Sequence, residues 1–431
     1  MRGAVAAAAS LALVMPSIAA DDEEPAKGRP SGRGLHIGAE SLMAEVAALP
    51  DHPQAGHTAT LRAHWVASLK PTSGLELRGG FRTDLDHQGG GSAKVENAQA
   101  ALTDTYVRWR SGETRLTAGL QSVLWGRVDA VSLLDRVSRV DLRRFALDEL
   151  KERRLPQPMI RWEQSWGDVQ SDVVLLPGHL DALLPQRSSV WHPVDRTASH
   201  ILGTPAAPAL AGFYGVAPLY NLPHRQGGAA LRVTHTGDGL DMGITFGRTR
   251  QPLPFFSLDL ASPSIQVSHP LNSYLAADFE LATSAVTWRA ELAHTRGVPM
   301  TTSGSGAPIR AHSTEFAGGA EFFPGGRDTR VNLQVLLRSV QASVSTVELQ
   351  RYASLSGEVE TSMASGKVKA GLRFASALNL HDIYLSPRVA YLGWEPHEVY
   401  LAAHLFKGQQ RGFGGFFANT SAVALGVKTR F

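Results

Sequence analysis

The segment 125–156 carries the side chains best suited to act on a charged ligand. Its arginines and aspartates follow one another closely, and opposite charges held across a gap impose an electric field on ions that pass between them. We therefore predict a charged constriction, while packing of the segment against a wall for stability is a compatible alternative. The predicted constriction consists of Arg143, Arg144, Arg153, Arg154, Asp129, Asp135, Asp141 and Asp148.

The sixteen histidines show no spacing typical of a catalytic or metal site. None falls in a Gly-x-Ser-x-Gly or His-Glu-x-x-His pattern, and no glycine-rich phosphate loop joins a strand to a helix. The chain has no cysteine, which excludes disulfides and thiolate ligands. We therefore expect no enzyme activity, no cofactor and no metal. The net charge of +3 and the lack of a basic cluster with interleaved aromatics give no indication of nucleic-acid binding.

The charged residues must be positioned by β-strands, in which apolar and polar residues alternate with a period of two. In the segment 330–338 the apolar residues at 331, 333, 335 and 337 share one face, and the opposite face carries polar residues such as Arg330 and Arg338. Similar alternation recurs over spans of about ten residues, for example at 61–70 and 367–374, and this length fits a tilted membrane strand. The segment 137–150 differs, because its apolar residues have helical spacing and predict an amphipathic helix.

The connections between these strands alternate in length. Turn-like links at 71–74, 111–113 and 167–168 are short, whereas the links 125–156, 177–226 and 297–311 are long. Short turns at one end and long loops at the other are typical of outer-membrane barrels. The pattern predicts an all-β fold, a single closed antiparallel transmembrane β-barrel of about 18 strands, with 16 as the competing count.

The C-terminal strand resembles the closing strand of bacterial outer-membrane β-barrels. Its apolar side ends on the terminal Phe431, which by this resemblance is the assembly signal read by the barrel-assembly machinery. We expect Gly426, Lys428 and Arg430 to face inward and the opposite face to contact outer-membrane lipid. The lipid-facing set consists of Val423, Leu425, Val427 and Phe431.

The N-terminus has the pattern of a secretory signal. An apolar run from Ala4 to Met15 is followed by Ser17-Ile18-Ala19, which fits a small-x-small cleavage site. We predict a signal peptide at 1–20, a polar periplasmic leader at 21–34, and an outer-membrane barrel at 35–431. The barrel would carry its long loops at 125–156 and 177–226.

The segment 116–177 resembles an uncharacterised porin-like family of Gram-negative outer-membrane barrels that is distantly similar to alginate-export porins. The matching positions are Gly119, Gln121, Trp125, Gly126, Asp135, Asp141, Arg143, Pro156, Pro158 and Met159. The family often has Asn-Pro ahead of the central aspartate, whereas this chain has Arg139-Val140 before Asp141. The resemblance implies an outer-membrane channel, or alternatively an export or lipid/polysaccharide conduit acting with periplasmic partners.

Basic residues predominate on the polar sides of the predicted strands. Charges are costly on the lipid face, so we expect these side chains to line the lumen and to favour small hydrophilic, anionic solutes. About half of them could be used in ion pairs across strands. The predicted lumen wall consists of Arg62, Arg78, Arg82, Arg108, Arg110, Arg115, Arg161, Arg289, Arg338, Lys369 and Arg373.

Overall fold

A computed structural model of the protein describes residues 34–431 apart from 130, 131, 145, 146 and 327. The predicted signal peptide, 1–20, and the leader up to residue 33 lie outside the described residues. Phe145, one member of the predicted helical stripe, also lies outside them. None of the described helices is long and apolar enough to cross a membrane.

Eighteen antiparallel strands close into one barrel, which confirms the predicted fold class and the higher of the two strand counts. Strand β4 consists of two segments. The strands are β1 Leu35–Ala48, β2 His57–Thr72, β3 Leu75–Gly89, β4 Val95–Leu102 with Thr105–Ser111, β5 Thr114–Gln121, β6 Gln157–Trp166, β7 Val169–Leu176, β8 Gly228–Thr236 and β9 Leu240–Arg250. The second half comprises β10 Leu271–Ala282, β11 Val286–Thr301, β12 Pro308–Phe322, β13 Thr329–Gln341, β14 Arg351–Met363, β15 Val368–Ala377, β16 Ile383–Trp394, β17 His397–Lys407 and β18 Ala422–Arg430.

Closure is made by the first and last strands. Strand β1 pairs antiparallel with β18, from Ser41 opposite Arg430 to Ala48 opposite Val423. Each strand therefore has two neighbours, and the sheet has no free edge whose backbone groups would need water. The interruption in β4 at Thr103 does not break the wall, because the Thr103 N–H donates to the Gly80 carbonyl at 2.9 Å.

Burial alternates along the strands as a barrel in lipid requires. On β9, Ile244 and Phe246 are exposed on the outside while Thr245 is buried. On β18, Val423, Leu425 and Val427 are exposed, and the small residues between them are buried. A belt of exposed large apolar side chains follows the outer wall, so hydrocarbon is the medium that matches it.

The connections are short at the periplasmic end and long at the extracellular end. Turns at 73–74, 112–113 and 167–168 contrast with loops at 122–156 and 177–227. The predicted long link 297–311 was wrong. β11 and β12 continue past a bulge at Gly297 and leave only 302–307 as the loop, because the ladder resumes between Val298 and Ala311.

The long loops contain short elements of their own. They are Arg139–Val140 paired with Arg154–Leu155, a helix at Leu150–Arg153, Val194–Asp195 paired with His200–Ile201, a 3-10 turn at Pro208–Leu210, a helix at Ala211–Val216, a small sheet of Leu219–Asn221, Phe255–Asp259 and Ser264–Ser268, a helix at Phe413–Phe416 and a 3-10 turn at Ala418–Thr420. Apolar residues of these loops pack into a core at the extracellular end of the barrel, where Leu134, Tyr214 and Phe256 are fully buried.

Helical spacing in 137–150 was a misleading signal. The only helix described in that loop is Leu150–Arg153, although Val137, Leu142 and Leu147 are buried as an apolar stripe would be. The Asp141 N–H donates to the Arg153 carbonyl at 2.7 Å, and the Leu142 N–H donates to the Leu183 carbonyl at 2.8 Å. Bridges to other segments thus satisfy the backbone without an intrahelical ladder.

Candidate functional site

The segment 122–156, here called the interior loop, crosses the barrel from wall to wall. At one side, Arg127 donates to Asp278 on β10 at 2.5 Å, and the Leu133 N–H donates to Glu291 on β11 at 2.6 Å. At the other side, Arg144 donates to Glu45 on β1 at 2.7 Å. Lys428 on β18 contacts Glu152. The interior loop therefore lies within the lumen and contacts opposite sides of the wall.

Eight charged residues, here called the ion cluster, hold the interior loop against β1, β2 and β3. The members are Glu45, Arg62, Arg82, Asp84, Asp141, Arg143, Arg144 and Asp148. Arg62 joins wall to loop, with 2.6 Å to Asp84 and 2.9 Å to Asp148. All members are buried, and their cations and anions are equal in number. The charges thus compensate one another at the site of contact.

Two of the predicted constriction arginines are anchors of this cluster. Arg143 lies 2.7 Å from both Asp84 and Asp141, and Arg144 lies 2.9 Å from Asp148. Burial alone would raise the pKa of Asp148, but the attraction of Arg62 and Arg144 outweighs it and holds the pKa below its usual range. The carboxylate is therefore ionised at neutral pH, and the pairing persists there.

Asp141 and Asp148 belong to the ion cluster as well, whereas Asp129 and Asp135 lie elsewhere along the loop. Asp129 accepts a hydrogen bond from Asn332 on β13 at 2.5 Å and lies 3.5 Å from Arg289. Asp135 accepts the backbone N–H of Trp125 at 2.9 Å and contacts Arg154. The eight predicted constriction residues thus lie in separate groups along the interior loop and do not form one ring.

A cavity of ≈ 210 Å³, here called the arginine cavity, lies between the interior loop and the wall of β9 to β13. Six arginines and two carboxylates line it: Arg136, Arg139, Arg153, Arg154, Arg250 and Arg338, with Asp135 and Glu315. Glu315 lies 3.2 Å from Arg136 and 3.4 Å from Arg338. Because two carboxylates face six guanidinium groups, the cavity has a positive excess.

Burial also lowers the pKa of two loop arginines that line the cavity. It lowers the pKa of Arg153 to about 10 and that of Arg154 to about 9. Both groups stay protonated at neutral pH, because these values lie well above 7. Because burial penalises the charged form of both guanidinium groups, an anion in the cavity would stabilise that form.

A second cavity, of ≈ 50 Å³, lies at the other face of the interior loop. Acids and bases are nearly balanced around it, with Glu149, Glu152 and Glu358 near Lys369 and Arg373. This cavity therefore has no comparable preference for one sign of charge.

Most of the predicted wall cations have carboxylate neighbours. Arg82 contacts Asp84 at 2.9 Å and Arg62 bridges two carboxylates of the ion cluster. Arg110 donates to the Gly112 carbonyl at 3.4 Å, and Arg373 is buried. The remaining pairs are Arg78–Glu40 at 2.9 Å, Arg108–Glu76 at 3.4 Å, Arg115–Glu163 at 3.2 Å, Arg161–Asp172 at 2.6 Å, Arg289–Glu280 at 2.8 Å, Arg338–Glu315 at 3.4 Å and Lys369–Glu360 at 3.2 Å.

The residues that receive the interior loop were missed in the sequence. Glu45, Asp84, Asp278 and Glu315 all lie on the polar side of an alternating strand. Alternation could have indicated that they face the lumen, as Asp84 does two residues after Arg82. Nothing in their local sequence indicates that a distant loop would contact them.

A closed eighteen-strand antiparallel barrel with an apolar outer belt and a charged interior defines a transmembrane β-barrel of the outer-membrane type. No protein-family model matches the sequence. No curated protein matches it either.

Solved structures similar to this chain include OmpT, an outer membrane protein of Vibrio cholerae, at 10% identity and a TM-score of 0.47, covering 92% of this chain and 97% of that one. The outer membrane channel DcaP of Acinetobacter baumannii has 9% identity and a TM-score of 0.46, covering 94% and 99%. OmpF of Salmonella typhi, in a complex with daunomycin, has 10% identity and a TM-score of 0.45, covering 93% and 98%.

Proposed function

We propose that the protein is an outer-membrane channel for small hydrophilic solutes and that it favours anions. The observation that carries the proposal is the arginine cavity, where a solute on the lumen side of the wall meets six guanidinium groups and two carboxylates. A low-dielectric wall bearing one dominant sign of charge raises the local concentration of the opposite ion. The solute path runs between the interior loop and the wall of β9 to β13.

The interior loop supplies the constriction in this proposal. It crosses the lumen, and its anchors on β1, β2 and β3 are compensated ion pairs that offer little net charge to a passing solute. Its other face presents Arg153 and Arg154 to the arginine cavity. Selectivity therefore belongs to the cavity arginines, and the ion cluster keeps the loop in place.

Ion selectivity in planar bilayers tests the proposal. In a salt gradient of about tenfold, we expect the reversal potential of the refolded wild-type channel to have the sign that an anion-selective pore gives. The double variant Arg154→Gln/Arg338→Gln lacks two cavity cations, so its reversal potential should move towards that of a cation-selective pore. The shift should shrink at about 1 M salt, where screening acts over about 3 Å.

Arg110→Gln is the matched control. Arg110 is exposed near the periplasmic turn at 112–113, away from the arginine cavity, and the variant should keep the wild-type reversal potential. A cation-selective wild type, or an equal shift in both variants, would refute the anion path through the cavity.

The alternative, an export or lipid/polysaccharide conduit working with periplasmic partners, makes a different prediction for the same recordings. A conduit that opens only with a partner should show no steady conductance as the purified barrel. Conductance that appears after adding a periplasmic extract would favour it over the passive channel.

A further inference from the structure

Two histidines and an aspartate converge at the extracellular ends of β7 and β10. His179 and Asp181 follow β7, and His269 precedes β10. Nε2 of His179 lies 3.7 Å from Oδ1 of Asp181, and Nε2 of His269 lies 4.0 Å from the same oxygen. The three ligand-type atoms all lie within 4.8 Å of one another.

The histidines are buried, and one nitrogen has no use within the protein. The His179 side chain is 5% exposed, and that of His269 is 0% exposed. Among the described residues, Nε2 of His179 is one of the buried side-chain atoms with no hydrogen-bond partner. An unsatisfied buried nitrogen is costly, and this one lies beside a carboxylate and a second imidazole, which are groups that bind metal ions.

The surroundings orient His269 for coordination. Its Nδ1–H donates a hydrogen bond to the Gln251 carbonyl at 2.8 Å, which leaves the lone pair on Nε2. That lone pair accepts the Ala182 N–H at 3.3 Å, a weak contact that a metal ion would replace. His224 fixes the backbone, because its Nε2 accepts the His269 N–H at 2.9 Å. Nδ1 of His179 accepts a hydrogen bond from the amide Nε2 of Gln157 at 3.3 Å, which places the ring proton on Nε2 of His179. Coordination through Nε2 of His179 therefore requires this proton to move to Nδ1 and the Gln157 amide to withdraw.

We propose that His179, Asp181 and His269 bind a divalent transition-metal ion, with Zn²⁺ as the representative species. Two imidazole nitrogens and one carboxylate oxygen form a donor set that suits zinc and its neighbours and is unusual for Ca²⁺ or Mg²⁺, which take oxygen ligands. Zinc with ligands at about 2.0–2.1 Å draws them to about 3.3 Å apart, so a contraction of an ångström or less closes most of the distances. The fourth position belongs to water.

The bound ion links the loop 177–227 to the segment 251–270. Arg139 donates to the Asp181 carbonyl, and Arg250 donates to the His269 carbonyl at 2.8 Å. Both guanidinium groups also line the arginine cavity. The metal thus joins two loop segments whose carbonyl groups each hold one of these cavity arginines, while the nearby cations reduce its affinity.

Metal binding to the full-length refolded protein in detergent tests the proposal. We expect Co²⁺ to bind at one equivalent with visible d–d absorption, and Zn²⁺ to displace it. His179→Ala, Asp181→Asn and His269→Ala should each weaken Zn²⁺ binding, measured by calorimetry, by at least about tenfold. Ca²⁺ should give no measurable heat under the same conditions.

His381→Ala is the matched control, because His381 is an exposed histidine in another extracellular loop. It should bind Zn²⁺ as the wild type does, and heat-modifiable gel mobility should show that all four variants are folded barrels. The proposal fails if the wild type binds no ion at about 1 mM free metal. It also fails if the three ligand variants bind as tightly as His381→Ala.

Discussion

Arg82 shows how charge is accommodated inside this barrel. Its side chain is 1% exposed, lies 2.9 Å from Asp84 and contacts Asp141 on the interior loop. Burying such a pair is not in itself stabilising, but removing one partner leaves the other buried and uncompensated. The ion cluster therefore makes the position of the interior loop depend on every one of its members.

We predict that Arg82→Met destabilises the docked loop by about 3–5 kcal/mol, because Asp84 and Asp141 lose a shared cation. Arg78→Met, on the same strand β3 as Arg82, should cost less than about 1 kcal/mol, since Arg78 pairs with the exposed Glu40 on β1. Limited proteolysis within 122–156 measures the effect, with intact barrel mobility as the folding check. Equal cleavage of the two variants would contradict the anchoring role of the cluster.

The arginines of the interior loop therefore divide between two separate roles. Arg143 and Arg144 belong to compensated pairs, whereas Arg153 and Arg154 face a cavity with a positive excess. The sequence grouped all four as constriction residues because they lie within one segment. Their neighbours on the wall, and not their own spacing, distinguish them.

At the scale of elements, the loop 342–350 depends on one buried carboxyl. Glu348 accepts the backbone N–H and the hydroxyl of Thr301, each at 2.8 Å, at the extracellular end of β11. Burial raises the pKa of Glu348 to about 7, against the opposing effects of these hydrogen bonds and of Arg338. Arg411 is a second cation close enough to interact with it.

We predict that this loop becomes less stable as the pH rises through 7. A carboxyl with a raised pKa holds a proton in the folded state that the unfolded state has lost above its ordinary value of 4.5. Its contribution to stability is therefore full below pH 4.5, declines as the pH rises through about 7, and stays lost at higher pH. Hydrogen exchange of the Thr301 and Val347 amides, corrected for intrinsic rates, should show faster opening at pH 8 than at pH 5.5.

Glu348→Gln is the control for that experiment. The amide cannot ionise, so opening of this loop should be nearly independent of pH in the variant. Exchange that is equally pH-dependent in both proteins would show that another group controls the loop.

For the whole molecule, the terminal residue adds little to the folded barrel. Phe431 is 67% exposed, and its N–H donates to the Glu40 carbonyl at 3.1 Å. We propose that its role lies in recognition by the barrel-assembly machinery, as the likeness of the last strand to closing strands implies.

We predict that deleting Phe431 lowers the outer-membrane yield several-fold and leaves the thermal stability of the refolded barrel almost unchanged, because one exposed side chain buries little area. Phe431→Tyr keeps a terminal aromatic and should restore the yield. Quantitative blotting of membrane fractions and heat-modifiable gel mobility provide the two measurements. Normal yield of the deletion variant would remove the assembly role.

Local sequence determined the wall of this protein. The direction of a side chain in a strand depends only on whether its position is odd or even, so alternation at 331–337 and 423–427 was enough to indicate strands, their lipid face and a closed barrel. The lengths of the links could also be predicted from the sequence, since a two-residue turn and a long loop differ in composition. The bulge at Gly297 was interpreted as the start of a link, because glycine and the following Pro299 are residue types that are common in turns.

Only the tertiary structure decided which side chains meet inside the wall. Arg143 and Asp84 come from a loop and a strand, and His179 and His269 come from different loop segments, so no local spacing records their contact. The sequence therefore predicted no metal site and a single charged constriction. Closure of the barrel brings distant segments into one small volume, and the pairing of charges there follows from the path of the interior loop.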